Sequence, residues 1–175
     1  MYLPKKINPW QLASEQRQLV GEVTLNVMTR LAVLNRIEGS ATVALVAGVD
    51  NNGVCYIKGE IKADIALDCQ RCFGLVHLSL VAKVALGLIH CEAEAKKLPD
   101  RYEPLLVSGG GITITDLVED ELLLALPQIP SHLDLLECES NGYVEFYKKD
   151  ILIPYEAYLQ PFAALISIKD TQPID

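Results

Sequence analysis

The sequence lacks the features that would place the protein in a membrane or a secretory pathway. No run of about 18 apolar residues occurs, and the longest candidate, residues 75–89, contains His77 and Lys83. The N-terminus holds Lys5, Lys6 and then a polar run, without the apolar stretch of a signal peptide. We therefore expect a cytoplasmic protein without a membrane span.

The sequence also lacks an excess of basic charge. It has 15 lysines and arginines against 23 acidic residues, a net charge of −8, which argues against a simple nucleic-acid binder. The charge is uneven: residues 1–36 sum to +3 and residues 92–150 to −8. This pattern favours a partner that is basic or that meets only one end of the molecule. The alternative is a solvated acidic surface that keeps the protein soluble.

Motifs of common enzymes are missing too. The sequence has no nucleophile elbow, P-loop or dinucleotide fingerprint, and Gly109-Gly110-Gly111 lacks the lysine and the strand–helix frame of a phosphate loop. We therefore predict no catalytic residue and no small-molecule substrate. No internal repeat or linker is visible, and 175 residues, 50% of them hydrophobic, are typical of one folded domain.

The first half of the chain predicts an antiparallel meander over about residues 19–90. An N-terminal arm over about residues 1–18 enters a short helix that Asn8 is expected to start, because asparagine before proline is a helix-start signal. Alternation predicts a strand over residues 19–28, a hairpin turn at residues 50–53 and two long strands on either side of residues 69–74. Gly59 is expected to mark a bulge.

The second half, about residues 92–170, predicts helical and irregular structure. We expect a surface loop over residues 92–104, a small hairpin around Gly109-Gly110-Gly111 and one main helix over about residues 116–126. Asp116 and Glu119 have the spacing of a capping box, and the apolar end of the helix is expected to be buried. An apolar tail, residues 161–168, is expected to dock on the core. The fold class is α+β: an antiparallel sheet, barrel-like in one alternative, packed by this helix and by shorter ones.

Cys69 and Cys72 have the spacing of a metal knuckle, with Gly74 just after them. A tetrahedral site needs two more ligands, and His132 with Cys138 is the best-typed pair, which gives a Cys3His zinc hypothesis. His90 with Cys91 competes but lies at the far end of a long strand. The alternatives are reduced structural or incidental cysteines and, with less support from the following strand pattern, a dithiol redox site.

Two further groups could contact a partner. Arg71 and Phe73, at the tip between two strands, could touch phosphate and stack on a base. Glu119, Asp120 and Glu121 crowd the first turns of the main helix, where they complement its dipole or face a basic partner. Consecutive helical residues point about 100° apart, so these three carboxylates do not suit one metal ion.

The motifs, taken in order, resemble the YceD family, also called domain of unknown function 177 or large ribosomal RNA subunit accumulation protein. They are LDCQRC (67–72), LPDRYEP (98–104), DLVEDELLLALP (116–127), PSH (130–132) with Cys138, and PFAAL (161–165). The resemblance implies a role in accumulation of the large-subunit ribosomal RNA and no established enzymatic activity.

Combining the resemblance with the charge, we expect a non-enzymatic ribosome biogenesis factor. It would bind a basic ribosomal protein or assembly factor of the immature large subunit, with rRNA contact through the arm and the Arg71 tip as a secondary mode. The alternatives are an RNA-processing or thiol enzyme and a regulatory interaction module with a zinc knuckle.

Overall fold

The computed structural model describes residues 3–33, 39–109 and 111–141. The chain forms two compact units, Met1–Ser131 and His132–Asp175. The single domain made of an arm (about residues 1–18), a meander (about 19–90) and a helical and irregular part (about 92–170) stays a prediction. The predicted apolar tail, residues 161–168, lies outside the described residues.

Two sheets make up the β structure of the first unit. The strands are β1 (Lys6–Ile7), β2 (Gln18–Thr24), β3 (Ser40–Val49), β4 (Cys55–Asp68), β5 (Leu75–Ile89), β6 (Glu103–Leu106) and β7 (Ile112–Thr113). Strands β2 to β6 stand side by side in chain order, and β1 pairs with β7. Neighbours from β2 to β5 are antiparallel, whereas β6 runs parallel to β5. The predicted α+β class and meander are confirmed, and over the described residues the sheet does not close into a barrel.

Short helices and one longer helix complete the described structure. They are α1 (Pro9–Ser14), α2 (Thr29–Ala32), α3 (Glu92–Ala95), α4 (Ile114–Ala125) and α5 (Leu135–Ser140), with a 3-10 turn at Leu25–Val27. Asn8 caps α1 as predicted, its side chain accepting a hydrogen bond from the Gln11 N–H. Within the described residues, no helix is both long and apolar enough to cross a membrane.

Period-two alternation builds the core face of the long strands. Val43, Ile61 and Ala82 are cross-strand neighbours on β3, β4 and β5, and all three are buried. Full burial of each larger side chain contributes roughly 2 kcal/mol relative to exposure, so this face holds the meander together. The hairpin turn before β4 also forms as predicted, with Asp50 Oδ1 accepting the N–H groups of Asn52 and Val54, each at 2.9 Å.

Gly59 does not form the predicted bulge. It pairs with Leu45 on one side and Val84 on the other, in unbroken register. Its φ of +151° and the 2.1 Å that would separate a Cβ from the Ala44 carbonyl oxygen explain the glycine. The residue is needed because the neighbouring strand comes close.

The strand predicted over residues 19–28 ends early, at Thr24. Leu25, Met28 and Leu31 are fully buried, a spacing of three that suits helical turns and not a strand. Val27, which the alternation assigned to the buried face, is 58% exposed. Helical periodicity therefore replaces strand periodicity from residue 25 onward.

The small hairpin predicted around the three glycines is also wrong. Strand β6 joins β5 in parallel, and β7 pairs with β1. A Cβ on Gly111 would lie 2.6 Å from the Ile7 carbonyl oxygen, so this glycine admits β1. The predicted loop over residues 92–104 contains the short helix α3 and the start of β6.

Helix α4 confirms the main helix but not its predicted cap. It begins at Ile114, after Thr113, whose side chain makes no capping hydrogen bond. Asp116 lies in the first turn and Glu119 points elsewhere. Leu122 is buried as expected, but Leu124 is 74% exposed, so the apolar end of α4 is buried on one side only.

Candidate metal centre

The turn between β4 and β5 holds the first two cysteines. The Cys69 N–H donates to the Gly74 carbonyl at 2.8 Å, and the Phe73 N–H donates to the Cys69 carbonyl at 2.9 Å. The turn therefore closes on itself and buries both Cys69 and Cys72. The residue in the left-handed region is Phe73, with φ of +58°, and not Gly74, which the sequence singled out.

Cys69 Sγ accepts a hydrogen bond from the Arg71 N–H at 3.4 Å. A backbone N–H aimed at sulfur stabilises negative charge on that sulfur, which a metal-bound thiolate carries. The turn thus has the geometry of a metal knuckle in its backbone as well as in its cysteine spacing.

The segment after α4 reaches the same turn. The Gln70 N–H donates to the Pro130 carbonyl at 2.8 Å. This backbone bond holds residue 130 against the cysteine turn. The Gln70 N–H at the tip of the turn thus finds its acceptor in a residue that lies 60 positions further along the sequence.

The other two predicted ligands, His132 and Cys138, lie just before and within α5. Helix α5 begins after Asp134, whose Oδ1 accepts the Leu136 N–H at 2.9 Å. Cys138 is fully buried while Leu135 and Leu136 on the same helix are exposed. Cys138 Sγ lies 3.5 Å from His132 Nδ1, and the other ring nitrogen, Nε2, lies 4.0 Å from a carboxylate oxygen of Glu137.

The four predicted ligands form one group. The ligand atoms of Cys69, Cys72, His132 and Cys138 all lie within 4.8 Å of one another, and all four residues are buried. Such a buried Cys3His group could hold a metal ion. All five cysteines of the chain lie in the described residues, and none is in a disulfide.

Tetrahedral geometry provides a test of fit. Zinc bonds of about 2.3 Å to sulfur and about 2.0 Å to nitrogen place a sulfur and a nitrogen ligand about 3.5 Å apart. The distance between Cys138 Sγ and His132 Nδ1 is 3.5 Å. The Glu137 carboxylate lies near the second ring nitrogen, but 4.0 Å is too long for the hydrogen bond by which a carboxylate orients a metal-bound histidine. The donor set is one that could hold a metal ion.

His90 and Cys91, the alternative pair of metal ligands, have other surroundings. The His90 ring stacks on Trp10, with centroids 4.0 Å apart and planes 6° from parallel. Cys91 is exposed and precedes α3. The metal-ligating group found among the described residues does not include either one.

The two tip residues predicted to contact a partner differ in exposure. Phe73 is 71% exposed, and Arg71 is half-buried beside the cysteines. A partner contact by either residue stays a prediction.

The acidic residues of α4 lie in a separate place and point in different directions. Glu119 Oε1 accepts the N–H groups of Arg30 and Leu31 at 2.7 and 2.9 Å, and its Oε2 accepts Nε and Nη2 of Arg30 at 3.2 and 3.1 Å. Asp120 pairs with Nη1 of the same guanidinium at 2.5 Å. No side chain caps α2 from its own N-terminus, so Glu119 supplies that cap from α4.

The electrostatics of Glu119 follow from these bonds. Burial alone would raise the pKa of its carboxyl, but the bonds from the Leu31 N–H and from Arg30, together with the arginine charge, outweigh burial and lower the pKa. The sequence missed Arg30 as the partner because no local pattern connects two residues 89 positions apart.

The pKa of Glu121 shifts in the opposite direction to that of Glu119. Burial raises the pKa of its carboxyl, and the nearby charges of Glu103 and Asp120 raise it further. Within the described part of the chain, no hydrogen bond or ion pair reaches Glu121.

Comparison with known proteins identifies the family. The family model described as large ribosomal RNA subunit accumulation protein YceD matches residues 57–168. The chain belongs to the YceD family. It is 31% identical over 172 residues to the large ribosomal RNA subunit accumulation protein YceD of Haemophilus influenzae, covering 95% of this chain and 96% of that one. No solved structure matches the chain.

Membership confirms the resemblance carried by the cysteine turn and the acidic helix, which both lie inside the matched residues. The family name points to a factor for accumulation of the large ribosomal RNA subunit, not to a known enzyme, and implies involvement with the large ribosomal subunit.

Proposed function

We propose that the protein is a non-enzymatic ribosome biogenesis factor that supports accumulation of the large-subunit (23S) ribosomal RNA by binding pre-ribosomal components in the cytoplasm. The similarity to the Haemophilus influenzae protein carries this proposal, because it extends over almost the whole of both chains. If the role depended on one small shared segment, the sequence similarity would not need to extend over the whole of both chains.

The charge supports a protein partner in preference to naked RNA. With a net charge of −8, the chain would gain little from release of the counterions that surround RNA. Ribosomal proteins and assembly factors that bind RNA are basic, and an acidic surface attracts them and speeds encounter. Direct rRNA contact through the N-terminal arm and the Arg71 tip is the secondary mode.

The Cys3His group has a structural role in this proposal. Zinc held by Cys69, Cys72, His132 and Cys138 would supply four bonds that replace hydrophobic packing around the turn. Four protein ligands would fill a tetrahedral site and so would leave no open coordination position of the kind that catalytic zinc needs.

Sedimentation through a sucrose gradient tests the function. Tagged full-length protein should travel with precursors of the large subunit at low salt and leave them as salt rises, because charge drives the contact. Cells without the protein should have less 23S than 16S rRNA relative to wild type. Absence from the precursor fractions, together with normal 23S rRNA, contradicts the proposal.

The enzyme and regulatory alternatives give different results. Purified protein that cleaves precursor rRNA, with loss of cleavage on replacing one cysteine, would favour an RNA-processing or thiol enzyme. Altered mRNA levels with normal rRNA would favour a regulatory module. Either outcome counts against docking as the mode of action.

A further inference from the structure

A groove between β6 and α4 has a composition that the structural roles of its residues do not explain. It is a cavity of about 550 Å³ in the first unit. Leu86, Leu105 and Leu117 supply apolar walls, and Glu103 and Glu121 supply carboxylates. Apolar walls around a few polar groups are typical of recognition sites.

The two walls present their side chains by regular geometry. Glu103 and Leu105 are two residues apart on β6 and so share a face of the sheet. Leu117, Glu121 and Leu124 are four and three residues apart on α4 and form one stripe of the helix. Each wall therefore alternates an acid with leucine.

Glu121 is the decisive residue. Its exposure is only 9%, and it lines the cavity without a hydrogen bond or ion pair from any described residue. No fully buried side-chain oxygen among the described residues lacks a hydrogen-bond partner, so the carboxylate oxygens of Glu121 open onto the groove, where a ligand can reach them. The neighbouring Glu103 adds a like charge, so the groove is prepared for a cation and not for an anion.

The exposure of Leu124 is the second feature that indicates an interface. This leucine is 74% exposed at the end of α4, in the apolar run where burial was expected. A leucine that extends an apolar wall into solvent beside a buried acid fits a partner with both an apolar surface and a positive charge.

Resting on the proposed function, we propose that this groove binds a segment of a partner protein in which lysine or arginine stands among apolar side chains, the cation pairing with Glu121 and Glu103. The charge complementarity selects a basic polypeptide and excludes the phosphate backbone of RNA from this site. Asp120, on the groove's rim, is already paired with Arg30 and contributes less.

Binding of a defined probe tests the groove. The probe is a short labelled peptide with lysines among leucines, used with full-length protein in fluorescence anisotropy and in NMR of leucine methyl groups. We expect methyl shifts at Leu105, Leu117 and Leu124. Peptides with glutamine in place of lysine, or serine in place of leucine, should bind about tenfold more weakly, because each lacks half of the complementary surface.

Matched variants locate the contact. Glu121→Gln should weaken the probe about tenfold, whereas Glu92→Gln, which makes the same charge change on exposed α3, should alter affinity less than about twofold. Leu124→Ser should weaken binding, and Leu133→Ser, at another exposed leucine, should not. Since both leucines are exposed, neither change is expected to unfold the protein.

Thermal unfolding distinguishes a role of Glu121 in binding the probe from a role in stabilising the fold. Glu121→Gln should raise the Tm of the protein alone while it weakens the probe, because it removes a carboxylate that lies beside the like charges of Glu103 and Asp120. A fall in Tm would assign Glu121 to the fold and overturn the proposal. Equal affinity of the Glu121→Gln and Glu92→Gln variants, methyl shifts induced by a single-stranded RNA, or contacts from residues 142–175 filling the groove would overturn it as well.

Sedimentation with large-subunit precursors distinguishes the groove proposal from the proposed function. If wild-type protein sediments with large-subunit precursors and the Glu121→Gln variant does so equally well, the groove proposal fails and the proposed function stands. If the wild-type protein does not sediment with them, the proposed function fails, whatever the probe shows.

Discussion

The two sides of α4 bury carboxylates to a similar degree and with opposite consequences. Glu119 is 4% exposed and Glu121 is 9% exposed, two residues further along. Glu119 accepts four hydrogen bonds from Arg30 and Leu31, and its pKa is lowered; Glu121 faces other acids, and its pKa is raised. Burial alone therefore does not define the role of a charged group. The partners that surround it do.

The Cys3His group extends this comparison. Its ligands are buried like Glu119, and the group could hold a metal ion. Glu119 thus has its partner within the fold, the Cys3His group has the composition of a metal site, and no described residue makes a hydrogen bond or ion pair with Glu121.

The largest effect is expected at Glu119. Glu119→Ala removes the cap of α2 and leaves two backbone N–H groups and two of the guanidinium N–H groups of Arg30 without their acceptor, so we expect the free energy of unfolding to fall by about 3 kcal/mol. Urea denaturation measures it. Glu119→Gln, which keeps one acceptor oxygen, should cost less. An alanine variant as stable as wild type would show that the network contributes nothing.

Loss of one thiolate should be the next largest change. Cys69→Ser is expected to abolish stoichiometric zinc in protein purified without a tag and to lower stability by about 2 kcal/mol, because a structural metal adds its binding energy to folding. Elemental analysis and thermal unfolding measure the two effects. Cys91→Ser is the control, since Cys91 is exposed and lies outside the group. Zinc retained by Cys69→Ser would exclude the Cys3His assignment.

Replacing Glu121 should act in the opposite direction and more weakly. Glu121→Gln is expected to stabilise the free protein by about 1 kcal/mol at neutral pH, since it removes like-charge repulsion. The same urea titration compares it with Glu92→Gln, which should change stability little. A loss of stability would remove the contrast between the two sides of α4.

The pH dependence should separate the two carboxylates further. Glu119 has a lowered pKa, so its stabilisation is present above the ordinary glutamate value of about 4.3 and is lost as pH falls through its folded value. Glu121 has a raised pKa, so stability is lost as pH rises from about 4.3 through its folded value. Unfolding measured at pH 7 and well below pH 4 should therefore show smaller effects of Glu119→Ala and of Glu121→Gln at the lower pH. Equal effects at both would contradict the assigned directions.

Local patterns predicted the parts of the fold that depend on near neighbours. The alternation along β4 and β5, the turn after Asp50 and the cap at Asn8 formed as expected, because each depends on residues a few positions apart. The pairing of β1 with β7 and the contact of Glu119 with Arg30 join distant segments and left no local signal.

The candidate centre was predictable for a different reason. Cys69 and Cys72 gave a spacing, and the choice of His132 and Cys138 came from ligand type and from the length of β5, which separates His90 from the turn. The groove was not predictable, because the exposure of Leu124 depends on which side of α4 the sheet covers.

Whether this protein supports the large subunit by docking is decided best by the ratio of 23S to 16S rRNA in cells. In cells lacking the protein, wild-type chain and the Glu92→Gln variant should restore the ratio, and Glu121→Gln should leave it low despite a stable, abundant protein. A normal ratio in cells without the protein would contradict the account.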